Sequence, residues 1–210
     1  MKSTLKIKIC GMKHPENIFS VAALKPDFMG FIFYSKSSRF IGKLDPEYIA
    51  NLPASVCPVG VFVDEDQETV LTMALKYHLK AVQLHGNESP VMCHFLQDKG
   101  LQVIKALSIA KKNDIQTAKA YDTHCNYLLF DSKTPLYGGS GLQYDWHILH
   151  EYDGATPFFL SGGIGLDDIL RIQSFRHPEL YGIDVNSRFE IFPGLKNIDA
   201  LTVFMNELNF

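Results

Sequence analysis

The residues of this chain best suited to chemistry each stand directly after a short apolar run. Cys10 follows residues 5–9 and precedes Gly11, Asp131 closes Tyr127-Leu128-Leu129-Phe130, and Ser161-Gly162-Gly163 follows Phe158-Phe159-Leu160. A thiol near cationic groups has its pKa lowered from about 8.5 and can act as a general base. A carboxyl group held against apolar neighbours keeps its proton near neutral pH and can donate it to a sugar ring oxygen. Cys10 and Asp131 would thus be complementary base and acid. The alternatives are a small buried hydrophobe for Cys10 and a turn former or helix cap for Asp131.

Other polar residues occupy equivalent positions. Gly138-Gly139-Ser140-Gly141 and Ser161-Gly162-Gly163 let backbone N–H groups approach an anion, and a helix N-terminus behind such a loop adds partial positive charge. With Asn186 and Ser187 after the last apolar run, Gly139, Ser140, Gly141, Gly162 and Gly163 form an expected phosphate site. Arg39, in Ser37-Ser38-Arg39-Phe40, is either a bidentate clamp for a carboxylate or an ordinary exposed loop arginine. Gln83, His85 and Asp184 complete the expected substrate-binding set, with a structural rim histidine as the alternative for His85.

Eight apolar runs must position these residues: 5–9, 28–33, 59–63, 81–84, 103–106, 127–130, 158–160 and 182–185. They are mostly continuous rather than alternating, which suits strands covered on both faces of a parallel sheet. Between them lie stretches with helical rhythm, such as Val70, Met73, Ala74 and Tyr77, or Ile198, Leu201, Met205 and Leu208. Ser89-Pro90 predicts a helix start, Gly100 the residue past that helix, and Pro26 a stop after Leu24. Strict β/α alternation admits a closed barrel or an open doubly wound sheet. The place where a dinucleotide-binding sheet carries G-x-G-x-x-G holds Cys10-Gly11-Met12-Lys13, and the glycine pairs come late. Late phosphate loops favour a (β/α)8 TIM barrel, with its active site at the carboxyl ends of the strands.

The chain of 210 residues is long enough for one such barrel, so a single catalytic domain over residues 1–210 is expected. A formal net charge of -3 and the lack of a basic stripe argue against nucleic acid. Residues 1–9 alternate lysine with apolar side chains, unlike a signal peptide, and no segment has membrane-spanning length. A cytoplasmic protein is expected, with no membrane partner. Cys10, Cys57, Cys93 and Cys125 form no C-x-x-C pair, so neither a metal site nor a disulfide framework is indicated. Monomer and homodimer both stay open.

The motifs, taken in order, resemble the phosphoribosylanthranilate isomerase family. They are Lys8-Ile9-Cys10-Gly11-Met12, Gly30-Phe31-Ile32-Phe33-Tyr34 with Ser38-Arg39-Phe40, Val59-Gly60-Val61-Phe62-Val63, Gln83-Leu84-His85-Gly86, Gly138-Gly139-Ser140-Gly141, Asp145-Trp146, Ser161-Gly162-Gly163-Ile164 and Asp184-Val185-Asn186-Ser187. The resemblance implies the Amadori rearrangement of N-(5-phosphoribosyl)anthranilate to 1-(2-carboxyphenylamino)-1-deoxyribulose 5-phosphate in tryptophan biosynthesis, with no metal or cofactor. It implies Asp131 as the acid that protonates the furanose oxygen and Cys10 as the base that removes the C2 proton. Arg39 would hold the anthranilate carboxylate, His85 would line the sugar site, and the glycine loops with Ser187 would grip the phosphate. Two positions depart from the family pattern: Arg188 stands where glycine is usual, and Leu142 where lysine is frequent. The rival readings are a histidine-pathway isomerase with paired aspartates, and a catalytically silent phosphate-binding barrel with a regulatory or scaffolding role.

Overall fold

Eight parallel strands pair in sequence order and close on themselves, β1 against β8. They are β1 (Lys6–Ile9), β2 (Phe28–Ile32), β3 (Cys57–Phe62), β4 (Ala81–Leu84), β5 (Gln102–Ile109), β6 (Tyr127–Ser132), β7 (Phe158–Leu160) and β8 (Leu180–Val185). The computed structural model describes residues 5–132 and 143–208. Every expected strand is present, most displaced at an end by one to three residues.

Alternation along each strand sorts the side chains between two cores. Phe28, Val59, Ala81, Ile104, Ala106, Leu129 and Phe159 fill the barrel interior, where Phe28 meets Phe159 edge to face at 5.3 Å. Ile7, Ile9, Met29, Phe31, Val82, Leu84, Leu128, Phe130, Ile183 and Val185 point outward and pack with Ile18, Val21, Val70, Ala74, Leu96, Leu201 and Phe204 of the surrounding helices. Burial on both faces explains the continuous apolar runs. The same alternation turns Lys8, Cys10 and Asp184 inward, because their neighbours Ile7, Ile9, Ile183 and Val185 face out. One step beyond the apolar plug, Gly30, Gln83, Asp131 and Ser161 share the inward face.

The helices are α1 (Pro15–Ala23), α2 (Glu47–Ala50), α3 (Gln67–Lys76), α4 (Pro90–Asp98), α5 (Ile169–Ser174) and α6 (Ile198–Leu208). Ser89 Oγ caps α4 by accepting from the Met92 N–H at 3.3 Å, and Gly100 follows its end at φ 86°. The chain leaves α1 through Lys25, at φ 56°, before Pro26. Not every crossover is a full helix. After β5 and β6 the chain forms 3-10 helices, Lys112–Ala120 and Trp146–Glu151. Asp114 and Thr117 bond to nearby backbone at 2.9 and 2.6 Å, the local competition that disfavours an α-helix.

A second departure is a small antiparallel ribbon, β9 (Glu190–Phe192) with β10 (Leu195–Lys196), beyond β8. Pro193-Gly194 turns it, Gly194 taking φ 90° as the third residue of a type II turn requires. No helix among the described residues is long and apolar enough to cross a membrane.

Candidate active site

Cys10 sits where β1 ends, its N–H bonded to the Val185 carbonyl of β8 at 2.9 Å. A side chain at position 30 would collide with it: a Cβ there would lie 2.6 Å from Cys10 Sγ. Gly11 takes φ 80°, and a Cβ on it would lie 2.7 Å from Asn186 Oδ1 and 2.8 Å from Arg39 Cδ. Two glycines therefore let three loops converge on the thiol.

The surroundings of the sulfur are charged. Lys8, 0% exposed, donates to Asp184 Oδ1 at 2.6 Å and its charge acts on Cys10, while the Ser161 hydroxyl donates to Asp184 Oδ2 at 2.9 Å. Lys196, contributed by β10, is a second buried cation whose field reaches Cys10. The expected depression of the thiol pKa is corrected here. Burial, the largest influence, raises it; Lys8 pulls it down, Asp184 pushes it up and Lys196 pulls it down, and the net direction is upward. Desolvation penalises the thiolate more than the two ammonium groups favour it.

Arg39 is not an ordinary exposed loop arginine. It is buried, with Nε and Nη2 bonded to Glu190 at 2.6 to 3.0 Å. Glu190 Oε1 also accepts from Lys196 Nζ at 2.8 Å and from the Gly194 N–H at 3.0 Å. Burial alone would raise the Glu190 pKa, but the Arg39 hydrogen bonds and the Lys196 charge hold it below the usual carboxylate value. Arg39 Nη1 has no protein acceptor among the described residues.

Asp131 belongs to β6 and caps no helix among the described residues. Its Oδ1 accepts from the Ser132 N–H at 2.8 Å, and Oδ2 lies 3.4 Å from His85 Nε2. His85 Nδ1 is 2.7 Å from Gln83 Nε2, so Gln83, His85 and Asp131 form one chain of contacts along the rim from β4 to β6. If the Gln83 amide donates, the imidazole is neutral with its hydrogen on Nε2, directed at Asp131. The buried Tyr144 phenol stands near the same carboxylate; burial and then the Asp131 charge push its pKa far up.

Gly162 and Gly163 adopt φ 96° and 64° in succession, and the N–H groups of Gly162, Gly163 and Ile164 donate to no acceptor among the described residues. Successive free N–H groups in such a turn form a concavity, or nest, of the kind that suits an anion. A Cβ on Gly162 would strike Ser132 Oγ, so the loop lies tight against the end of β6. Arg188 takes an ordinary backbone conformation in the turn Ser187–Phe189, and its guanidinium lies over Gly165 and 3.2 Å from Asp167. The departure from glycine there thus adds a cation beside the nest. Gly139, Ser140, Gly141 and Leu142 lie outside the described residues. No cluster of His, Cys, Asp or Glu among the described residues could hold a metal ion.

Lys8, Glu190 and Lys196 were missed by the sequence reading. Lys8 did carry a usable sign, since a lysine inside a doubly covered strand must point into the barrel and find a partner there. Glu190 and Lys196 flank the Pro193-Gly194 turn, the only local mark of their ribbon.

Comparison with known proteins agrees with this geometry. The family model described as N-(5'phosphoribosyl)anthranilate (PRA) isomerase matches residues 7–207. An N-(5'-phosphoribosyl)anthranilate isomerase of Parabacteroides distasonis is 48% identical over 204 residues, covering 96% of this chain and 92% of its own. The crystal structure of phosphoribosyl anthranilate isomerase from Thermotoga maritima superposes with a TM-score of 0.86 at 35% identity, covering 98% of both chains. A phosphoribosyl anthranilate isomerase in complex with reduced 1-(o-carboxyphenylamino)-1-deoxyribulose 5-phosphate superposes with a TM-score of 0.83 at 31% identity, again over 98% of both. With the family model matching residues 7–207 and a relative 48% identical over 96% of the chain, the chain belongs to the phosphoribosylanthranilate isomerase family.

Proposed function

We propose that this isomerase of tryptophan biosynthesis acts on N-(5'-phosphoribosyl)anthranilate through Cys10 as base and Asp131 as acid, in a single catalytic domain. The carrying observation is their placement: both stand on the inward face at the carboxyl ends of strands, β1 and β6, which are three strands apart around the closed barrel. A ligand spanning the mouth meets sulfur on one side and carboxyl on the other.

Protonated Asp131 gives its proton to the furanose oxygen, the C1–O bond breaks, and the nitrogen lone pair forms the C1=N iminium. Cys10, as thiolate, removes the C2 proton, and that electron pair makes an enolamine. The C2 hydroxyl then loses its proton as C1 gains one, leaving the ketone, so the product is an isomer of the substrate. The iminium is already an electron sink, and one positioned acid and one positioned base suffice. Arg39 Nη1 is the nitrogen left to meet the anthranilate carboxylate, and Gln83, His85 and Asp184 line the sugar. The nest at Gly162-Gly163, with Asn186, Ser187 and the glycines at 139 and 141, takes the phosphate. The four cysteines are free thiols, which suits the cytosol.

Turnover is followed by loss of the anthranilate substrate's fluorescence. Cys10→Ser and Asp131→Asn are each expected to lower kcat by about 10²- to 10⁴-fold while product binding persists. Near-normal rates in both would show that neither side chain is the acid or the base, and only a wild-type protein without turnover would leave a silent phosphate binder as the better reading.

A further inference from the structure

Two buried lysines reach towards Cys10, but their hydrogen-bonding capacities differ. An ammonium group has three hydrogens to donate. Lys196 faces three protein acceptors, the Asn186 carbonyl at 3.3 Å, Asn186 Oδ1 at 2.7 Å and Glu190 Oε1 at 2.8 Å. Lys8 has one oxygen acceptor among the described residues, Asp184 Oδ1 at 2.6 Å, and Cys10 is the next inward residue along the same strand, within reach of its charge. Asp184 is itself held on its other oxygen by the Ser161 hydroxyl, so the carboxylate that anchors the ammonium is fixed in place.

The strands dictate this arrangement. Lys8 and Asp184 are register partners on β1 and β8, and Cys10 is two residues beyond Lys8 on the same inward face. An ion pair wholly inside a barrel is poor stabilisation, since an apolar pair of similar volume there would be neutral or more stable. Its position beneath the sulfur supplies a reason for it.

We propose that Lys8 is a positioning residue for the base, its ammonium donating the hydrogen bond that makes a Cys10 thiolate attainable, with Asp184 as the anchor that aims it. This rests on the assignment of Cys10 as base. Burial opposes the thiolate, and Lys8 is the largest influence acting the other way. The charged groups that act on the sulfur are Lys8 on β1, Asp184 on β8 and Lys196 on β10, with the Arg39–Glu190 pair beyond Lys196, and Gly30 of β2 lies against it.

The test is the pH titration of thiolate ultraviolet absorbance, wild type minus Cys10→Ser, beside the pH profile of kcat/KM. Lys8→Met is expected to move the midpoint to higher pH by about one unit or more, with the kinetic limb following and KM little changed. Asp184→Asn should move it the opposite way, because a like charge is lost while Lys8 stays, and Lys8→Arg should recover most of the wild-type midpoint. A general structural disturbance would move the first two together. Should Lys8→Met fail to fold with Asp184 unpaired, the double variant Lys8→Met, Asp184→Asn carries no buried charge at this pair. Its midpoint should then lie well above that of Asp184→Asn alone. Coincident midpoints for that pair, or for wild type and Lys8→Met, overturn the role of Lys8. Full turnover by Cys10→Ser would instead overturn the base itself.

Discussion

Replacing Gly30 by alanine tests the placement of the sulfur through one methyl group. Gly30 has no left-handed backbone conformation, so alanine should gain about 0.5–1 kcal/mol from lower chain entropy were the space empty. The space is not empty: the new Cβ would lie 2.6 Å from Cys10 Sγ, 3.1 Å from Cys10 Cα and 3.2 Å from Cys10 Cβ. Overpacking of this kind costs about 1–3 kcal/mol, leaving a net loss of up to about 2.5 kcal/mol by urea unfolding. Relief requires the thiol to move by about 1 Å, a misplacement that lowers turnover on the order of 10²-fold. The same substitution in a Cys10→Ala background removes the shortest of the three contacts, so its stability cost should fall by about 1 kcal/mol. Equal costs in the two backgrounds, or a Gly30→Ala enzyme with wild-type turnover, would refute an inward sulfur over β2.

Other consequences follow from the buried charges and thiols. Glu190→Ala should cost about 3–5 kcal/mol in urea unfolding, because it leaves Arg39 and Lys196 buried without their shared carboxylate. Burial pushes the thiols of Cys57 and Cys93 up to about 11 and that of Cys125 up to about 12, each from an ordinary 9.0. The folded chain therefore holds protons that the unfolded chain has released, and stability should be complete below pH 9.0 and fall as pH rises from there towards 12. Thermal unfolding across that range should show the midpoint dropping, and dropping less steeply in Cys125→Ala. The Cys10 thiol is raised as well, so kcat/KM should climb with pH to a midpoint on the alkaline side of the ordinary 9.0; a midpoint below it would contradict the dominance of burial.

The barrel was legible because its physics is local. A strand covered on both faces needs an unbroken apolar run, and residues 81–84 and 158–160 begin and end where the sequence places them. Cys10 and Asp131 were legible for the same reason, as the first polar groups after such runs. What surrounds them was not, since partners of a buried charge are chosen by register and closure rather than by neighbouring residues. Asp184 meets Lys8 only because β8 closes against β1, and Glu190 meets Arg39 only because a ribbon of two short strands folds back against Lys13. The same non-locality reversed the expected direction of the thiol pKa. Cations near a cysteine can be guessed from composition, but the desolvation that outweighs them exists only once the sheet is closed and the ribbon is in place. A closed barrel that buries its base must also bury that base's counter-charge. On the proposed assignment of Cys10, a lysine interrupting the first apolar strand therefore belongs with the chemistry of the site rather than with the packing of the core.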